Sequence, residues 1–457
     1  MTGGRLGLTL IATSVALVGL TAFLGNSVAS RGLAPNGPFP PYALTSTADP
    51  WLVVALLVAA TLAGTTGLLL ALGALARGWT PDPRRLLAGG CLAAFALLLV
   101  PPATSDDLYS YTAYGRMVVL HRDPYTITPD DLGRDPVGQQ AGEPWRHSPT
   151  VYGPVATAEQ ALAMKVAGRY VRTGAALLAL ASALAFVTTG LLLFRAAADD
   201  AARRRTALLW SLNPLLLTHL VAGAHVDALL VVLAVAAVVS LRRYPFVAGL
   251  LGGAAVCVKL SGTLAGAALA WTERRRPRRL AAVATGAVLV AVPAYLAAGG
   301  WRALTQVRKA SRYVSFGSPW RAISVPLDHV HAPRAIVTTL SLAAVLVLVK
   351  LLARALPGPD STARTTAVVT LAWLVGATYV LPWYDAWLWP FLALLPGSRW
   401  DRWLAIRTAV LTVAYLPGRV LPPLPPGLAG TMSGMRLYVT PVALGLLAVT
   451  AVRWCRE

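Results

Sequence analysis

At 457 residues, 56% hydrophobic and only 13% charged, the chain carries about half the charge of a soluble domain, which excludes an ordinary soluble enzyme. Its net charge of +21 would suit nucleic acid. The excess instead sits in short clusters between apolar runs (Arg84-Arg85, Arg203-Arg204-Arg205, Arg242-Arg243, Arg274-Arg275-Arg276 with Arg278-Arg279), the pattern of loops retained in the cytoplasm, whose partner is anionic lipid.

Many apolar runs approach the roughly 17–25 residues that cross a bilayer, and their continuity predicts helices, not a barrel. In chain order, Leu6–Leu24 after Arg5 is read as a retained first span, not a signal peptide. Spans follow near 51–76 and 86–101, then a long outer segment at 102–172. Further spans lie near 173–195, 206–222 and 226–241. The stretch 245–271 has arginines at both ends, so it enters and leaves on one side and is expected as a helical hairpin with its tip near Lys259. A span near 279–298 leads to a second outer loop at 299–333. Spans near 334–354, 365–381, 386–396, 403–417 and 438–453 complete a single integral unit over 1–457, with both termini in the cytoplasm. The fold class expected is an all-α polytopic membrane protein.

Within 102–172 the texture changes. Asp106 and Asp107 open a segment, Ser105–Arg116 (SDDLYSYTAYGR), whose apolar positions recur at helical spacing. This predicts an amphipathic helix along the membrane face, followed by a Pro/Gly/Asp-rich loop over 121–154 and a second amphipathic piece over 155–169. Two readings of the carboxylate pair stand open. Either the aspartates start the helix, with Ser105 as a cap, or one is a general base beside the membrane.

Four further groups fall on the same side. His219, His225 and Asp227 lie in NPLLLTHLVAGAHVDALL (Asn213–Leu230), readable as a hydrogen-bonded loop, a ligand contact or a metal site, although two ligands are too few for a metal assignment. Lys259 sits between two apolar arms and either snorkels or meets an anion. Arg308, Lys309, Arg312 and Arg321 interleave with Tyr313, Phe316 and Trp320, which suits a phosphate and a sugar face or an interfacial belt. Trp383, Tyr384 and Asp385 belong to YVLPWYDAWLWP (Tyr379–Pro390), where the aromatics suit an interface anchor but the aspartate does not. Cys91, Cys257 and Cys455 have no disulfide partner or zinc spacing. No Walker, GxGxxG or nucleophile-elbow motif occurs. Chemistry on the outer side has no nucleotide sugar to use, so an activated donor must arrive in the membrane as a lipid-linked phosphosugar.

The acidic-YSY helix Asp107–Arg116, the DPY and YGP elements at Asp123–Tyr125 and Tyr152–Pro154, NPL…GAHVDAL at 213–229, the Lys259 segment and PWY at 382–384 together resemble the GT-C glycosyltransferases. They are most similar to the actinobacterial polyprenol-phosphomannose-dependent α-1,6-mannosyltransferases of lipomannan synthesis. Val226 departs from the Asn usual there. The resemblance implies a GT-C-type bundle of roughly 12–14 transmembrane helices and inverting transfer of mannose from polyprenyl-phosphate mannose to a glycolipid, glycan or secreted peptide. It implies Asp107 as general base, with Asp106 as the substitute, and no metal or other cofactor. On this reading Lys259, Arg308, Arg312, Arg321 and His225 are expected to hold the donor phosphate. Tyr111, Arg116, Asp227, Trp383, Tyr384 and Asp385 are expected to face sugar or acceptor. The rival class is a transporter or flippase for a lipid-linked or anionic substrate. It would want pseudo-symmetric halves, which the chain lacks, and would not need the 102–172 segment.

Overall fold

The computed structural model describes residues 2–33, 39–143, 145–329, 333–418 and 424–456. The described residues are helical throughout, joined by turns and loops, with a few isolated β-bridges and no named strand. In chain order the helices are α1 Thr2–Phe23, α2 Pro50–Ala76, α3 Pro83–Leu97, α4 Asp107–Val119, α5 Pro154–Ala167, α6 Val171–Ala196, α7 Asp200–Thr206 and α8 Pro214–Leu216. They continue with α9 Asp227–Ser240, α10 Pro245–Val258, α11 Thr263–Glu273, α12 Pro277–Ala297, α13 Arg302–Ala310, α14 Arg321–His329, α15 Ala335–Ala355 and α16 Thr362–Gly376. The last four are α17 Trp389–Ala393, α18 Arg399–Tyr415, α19 Pro426–Gly434 and α20 Thr440–Trp454.

Among the described residues six helices, counting Pro426–Trp454 as one, are long and apolar enough to cross a membrane, and the chain is an all-α polytopic membrane protein. The other expected crossings are shorter or broken. The region 206–222 alternates α- and π-helical turns on either side of Asn213, whose side chain caps α8 by accepting from Leu215 and Leu216 N–H. The region 386–396 holds only a 3₁₀ turn and the five-residue α17. Broken helices free backbone polar groups, which in a membrane protein are tolerated where they are buried in protein or line a cavity.

The expected hairpin is present. α10 runs 14 residues, about 21 Å at 1.5 Å per residue, short of a roughly 30 Å hydrocarbon core. Lys259 adopts an extended conformation at its tip, and α11 returns after a 3₁₀ turn. Arg279 ties the two open ends together by donating to Leu241 O at 2.8 Å while pairing with Glu273.

The two helices expected to be amphipathic are α4 and α5, but every residue of α4 from Asp107 to Gly115 is buried, so it is packed on all sides by protein instead of presenting a polar face. The two pack closely because Gly115 of α4 lets the backbone of α5 approach: a Cβ there would stand 2.2 Å from Gln160 O. The loop that delivers α4 is bent by Thr104, with φ +72, a region costly for a β-branched residue and associated with sites that over-determine their backbone. Thr104 N–H donates to Ala29 O and Ala103 N–H to Ala222 O, so the segment before the carboxylates is held from both sides.

Candidate active site

Asp106 and Asp107 stand at the start of α4, both largely buried. Asp106 occupies the N-cap position but makes no side-chain cap. Ser105 Oγ instead accepts from Asp107 N–H at 3.1 Å. Asp106 faces Arg31, whose Nε and Nη2 meet its two oxygens at 3.2 Å each, while Nη1 donates to Gln140 Oε1 at 2.6 Å. The same guanidinium lies 4.2 Å over the Tyr109 ring. Planar, bidentate pairing of this kind fixes both partners. The geometry separates the two aspartates: Asp106 is tied to an arginine and Asp107 is not.

Burial pushes the Asp107 carboxyl up to about 7; the Lys259 ammonium opposes the shift, and the Asp227 and Asp106 carboxylates add to it. A carboxylate with that value shares its proton near neutrality, which suits a general base. Behind it stands an inner layer. His225 Nδ1 is 3.6 Å from Asp107 Oδ2 and 3.5 Å from Tyr111 OH, and Tyr152 OH donates to Tyr111 OH at 3.2 Å. Burial holds both phenols well above their ordinary value, so they remain protonated. His225 is fully buried and stacks on Trp383 with ring centroids 3.7 Å apart.

In front of Asp106 and Asp107 opens a cavity of ≈ 530 Å³. Its wall combines the carboxylates with Trp145, Tyr379, Trp383 and Tyr415 and with the guanidinium residues Arg312, Arg321, Arg334 and Arg436. Arg436 is anchored by donating to Ala414, Tyr415 and Leu416 carbonyls at the C-terminal end of α18. A cavity with one carboxylate released from ion pairing, several cations and aromatic faces can take an anionic group attached to a polar ring.

The structure distributes the expected residues unevenly. Asp106, Asp107, Arg312, Arg321 and Trp383 line the cavity. Tyr111 and His225 stand behind Asp107, and His225 is fully buried against the carboxylate and the Tyr111 hydroxyl. Lys259 is spent on an internal pair: its Nζ lies 3.0 and 3.2 Å from the oxygens of fully buried Asp227, and 4.2 Å over the Tyr384 ring. Trp387 Nε1 donates to Asp227 Oδ1 at 2.7 Å. Lys259, Asp227 and Tyr384, expected at the phosphate and the sugar, are thus engaged with one another: a half-buried ammonium takes the nearest carboxylate and aromatic faces. Arg116 pairs with Asp135 at 3.0 Å and steadies the loop instead of facing the cavity. Asp385 pairs with Arg407 and accepts from Thr408 at 2.9 Å. Arg308 is exposed on α13 and does not line the cavity.

Sequence reasoning passed over Arg31, Arg334 and Arg436, which sit in segments without motif texture; a lone arginine in the polar stretch after the first span was the available signal for Arg31. Among the described residues no group of three or more His, Cys, Asp or Glu side chains gathers as a metal site.

Residues 4–275 match the family model described as Alpha-(1->6)-mannopyranosyltransferase, N-terminal domain. The chain is 29% identical over 170 residues to Alpha-(1->6)-mannopyranosyltransferase A of Corynebacterium glutamicum, covering 37% of this chain and 34% of that protein. It is 31% identical over 173 residues to Alpha-(1->6)-mannopyranosyltransferase B of the same organism, covering 37% and 29%. It is 33% identical over 152 residues to a probable alpha-(1->6)-mannopyranosyltransferase of Mycolicibacterium smegmatis, covering 29% and 24%. The aligned stretches thus span a third or less of the length of these curated relatives, give or take a percent. No solved structure matches the chain. The region matched by the family model contains Asp106, Asp107, His225, Asp227 and Lys259 and runs from α1 through the hairpin, more than half of the sequence; the chain belongs to the alpha-(1->6)-mannopyranosyltransferase family.

Proposed function

We propose that the chain is a membrane mannosyltransferase that moves mannose from polyprenyl-phosphate mannose to an acceptor hydroxyl on the extracytoplasmic side, with inversion at C1. The observation that carries this reading is Asp107: a carboxylate pushed up to about 7, without an arginine partner, at the wall of a cavity that also presents Arg312, Arg321 and Arg436.

Asp107 takes the proton of the acceptor hydroxyl as its oxygen attacks C1 of the β-mannosyl phosphate. The C1–O bond to phosphate breaks, the new glycosidic bond forms, and polyprenyl phosphate leaves with the electron pair. The transition state has oxocarbenium character, as in inverting glycoside hydrolysis. A phosphate is already a good leaving group, so the reaction needs no acid opposite the base. The cavity's guanidinium groups offset the charge the phosphate gains, and Trp383 and Tyr415, 4.8 Å apart in an edge-on pair, offer faces for the ring. The inner layer of His225, Tyr111 and Tyr152 orients the base. The proposed reaction draws on no metal or other cofactor. Acceptors of the right chemistry are a glycolipid, a glycan or a secreted peptide with a free hydroxyl. The extracytoplasmic placement follows the arginine clusters: Arg204 donates to Pro81 O, joining α7, which carries Arg203–Arg205, to the start of α3, which carries Arg84-Arg85, at the end of α3 away from α4. Both termini then lie in the cytoplasm.

The test is to incubate purified protein with polyprenyl-phosphate mannose and candidate acceptors and to identify products by mass spectrometry. An α-mannoside appearing from the lipid donor supports the reading, and efficient transfer from GDP-mannose alone overturns it.

A further inference from the structure

A second crevice lies at the other end of the bundle. α18 connects the two: its last turn reaches Leu411, Ala414 and Tyr415 at the candidate active site, and its first turn holds Arg399, Asp401 and Arg402 at the second crevice. Both sites draw on the 17 residues of α18 and stand about 20 Å apart along the helix. The crevice, ≈ 720 Å³, opens between the ends of α2, α7 and α18.

Its lining is divided by chemistry. One wall is apolar, with Leu72, Leu75 and Trp79. The other carries Arg204, Arg205, Arg399 and Arg402 against Asp199 and Asp401. Both carboxylates are already committed. Asp401 pairs with Arg205 through two contacts of 2.6 and 3.1 Å, and Asp199 caps α7 by accepting from Ala202 N–H at 2.8 Å. Arg205 also donates to the Leu392, Ala393 and Leu395 carbonyls, so it forms the floor and has nothing to offer a ligand. Arg204 is different. Its Nε is fixed on Pro81 O at 2.8 Å, which leaves its two terminal nitrogens for another partner. Arg402 is exposed and makes no hydrogen bond or ion pair among the described residues. Positive charge therefore exceeds negative at the polar wall, beside an apolar wall, at the end of a transmembrane bundle.

We propose that this crevice binds the headgroup of an anionic phospholipid, with the phosphate between Arg204 and Arg402 and the glycerol and upper acyl chains against Leu72, Leu75 and Trp79. Charge complementarity selects the occupant: basic pockets between transmembrane helices are where anionic headgroups are held, and a guanidinium fixed in advance loses little freedom on pairing with phosphate. The apolar wall selects the lipid over free phosphate, because an inorganic ion leaves that wall facing water. The site is independent of the proposed transferase chemistry.

The experiment uses the full chain in phosphatidylcholine nanodiscs with and without phosphatidylglycerol, read by native mass spectrometry of retained lipid and by thermal unfolding. Phosphatidylglycerol is expected to be retained and to raise the unfolding temperature. The double variant Arg204→Ala/Arg402→Ala should bind it about fivefold more weakly per arginine removed and lose most of the thermal increment. Arg402→Ala alone, at an exposed position, gives the same direction should the double variant fail to fold. Arg84→Ala/Arg85→Ala, in the first turn of α3 and outside the crevice, should leave retention unchanged. Unchanged retention in Arg402→Ala and the double variant, or equal loss in the Arg84/Arg85 control, overturns the site. An equal thermal increment from inorganic phosphate in plain phosphatidylcholine overturns the lipid as its occupant.

Discussion

Two adjacent aspartates of the same residue type receive opposite assignments from their surroundings. Asp106 is neutralised by Arg31, and Asp107 is buried without such a partner. Asp107→Asn is expected to lower turnover by about 10²–10⁴-fold, the usual cost of losing a general base, with expression and unfolding temperature close to the parent. Near-normal turnover of that variant would move the base elsewhere. A pH prediction accompanies it. The base must be deprotonated to act, and its carboxyl is pushed up to about 7. The kcat/KM for the acceptor should therefore rise with pH through about 7 and level off above it. A profile flat from pH 5.5 to 8.5, a range spanning roughly 1.5 units to either side of that value, would remove Asp107 from the role. His225 is expected to act through Asp107 and not on the donor. His225→Gln should lower kcat and shift that profile while leaving donor KM nearly unchanged, and a rise in donor KM with an unshifted profile would restore it to the phosphate.

At the level of elements, the hairpin α10–α11 places Lys259 against the start of α9, where Asp227 waits with Trp387 and Tyr384 around it. The pair locks the hairpin tip to the helix that follows His225, so it serves the site by holding its backing in place. Lys259→Met leaves Asp227 buried without its cation, which typically costs about 3–5 kcal/mol. The unfolding temperature should fall sharply, and Lys259→Met/Asp227→Leu should recover part of the loss. Equal destabilisation of the single and double variants would show that the pair is not what fastens the tip. The segment 299–333 supplies Arg312 and Arg321 to the cavity, and the junction of α19 and α20 supplies Arg436. Arg321→Gln is expected to raise donor KM more than it lowers kcat, as measured by steady-state kinetics with lipid donor.

For the whole molecule, the arrangement is a bundle with a cavity bearing carboxylates and arginines at one end and arginine clusters at the other. A donor that brings its own hydrocarbon fits this arrangement. The prenyl tail would lie between spans near the 299–333 loop, with the mannose directed at Asp107. Shortening the tail should weaken binding by about 0.8 kcal/mol for each CH₂ no longer buried. A water-soluble mannosyl phosphate should consequently be a far poorer donor than polyprenyl-phosphate mannose in the same detergent; equal efficiency of the two would remove the membrane from donor recognition.

The sequence alone determined the class of molecule, because apolar runs of bilayer length have few soluble alternatives. It determined the hairpin as well, since arginines at both ends of 245–271 and too few residues for two crossings leave one solution. A helix after the third span was readable from its spacing, though its burial on all sides was not, and Asp106 and Asp107 were readable as candidates from the cost of carboxylates near hydrocarbon. Pairing was not readable. Arg31 lies 75 positions from Asp106, Asp227 lies 32 from Lys259, and Arg407 lies on α18, beyond the segment Tyr379–Pro390 that holds Asp385. A charge on a one-dimensional chain carries no record of which opposite charge will neutralise it. Only the packing of α4 against α5, of the hairpin against α9 and of α18 through the bundle decided which ionic groups are spent on each other and which are left facing the cavity.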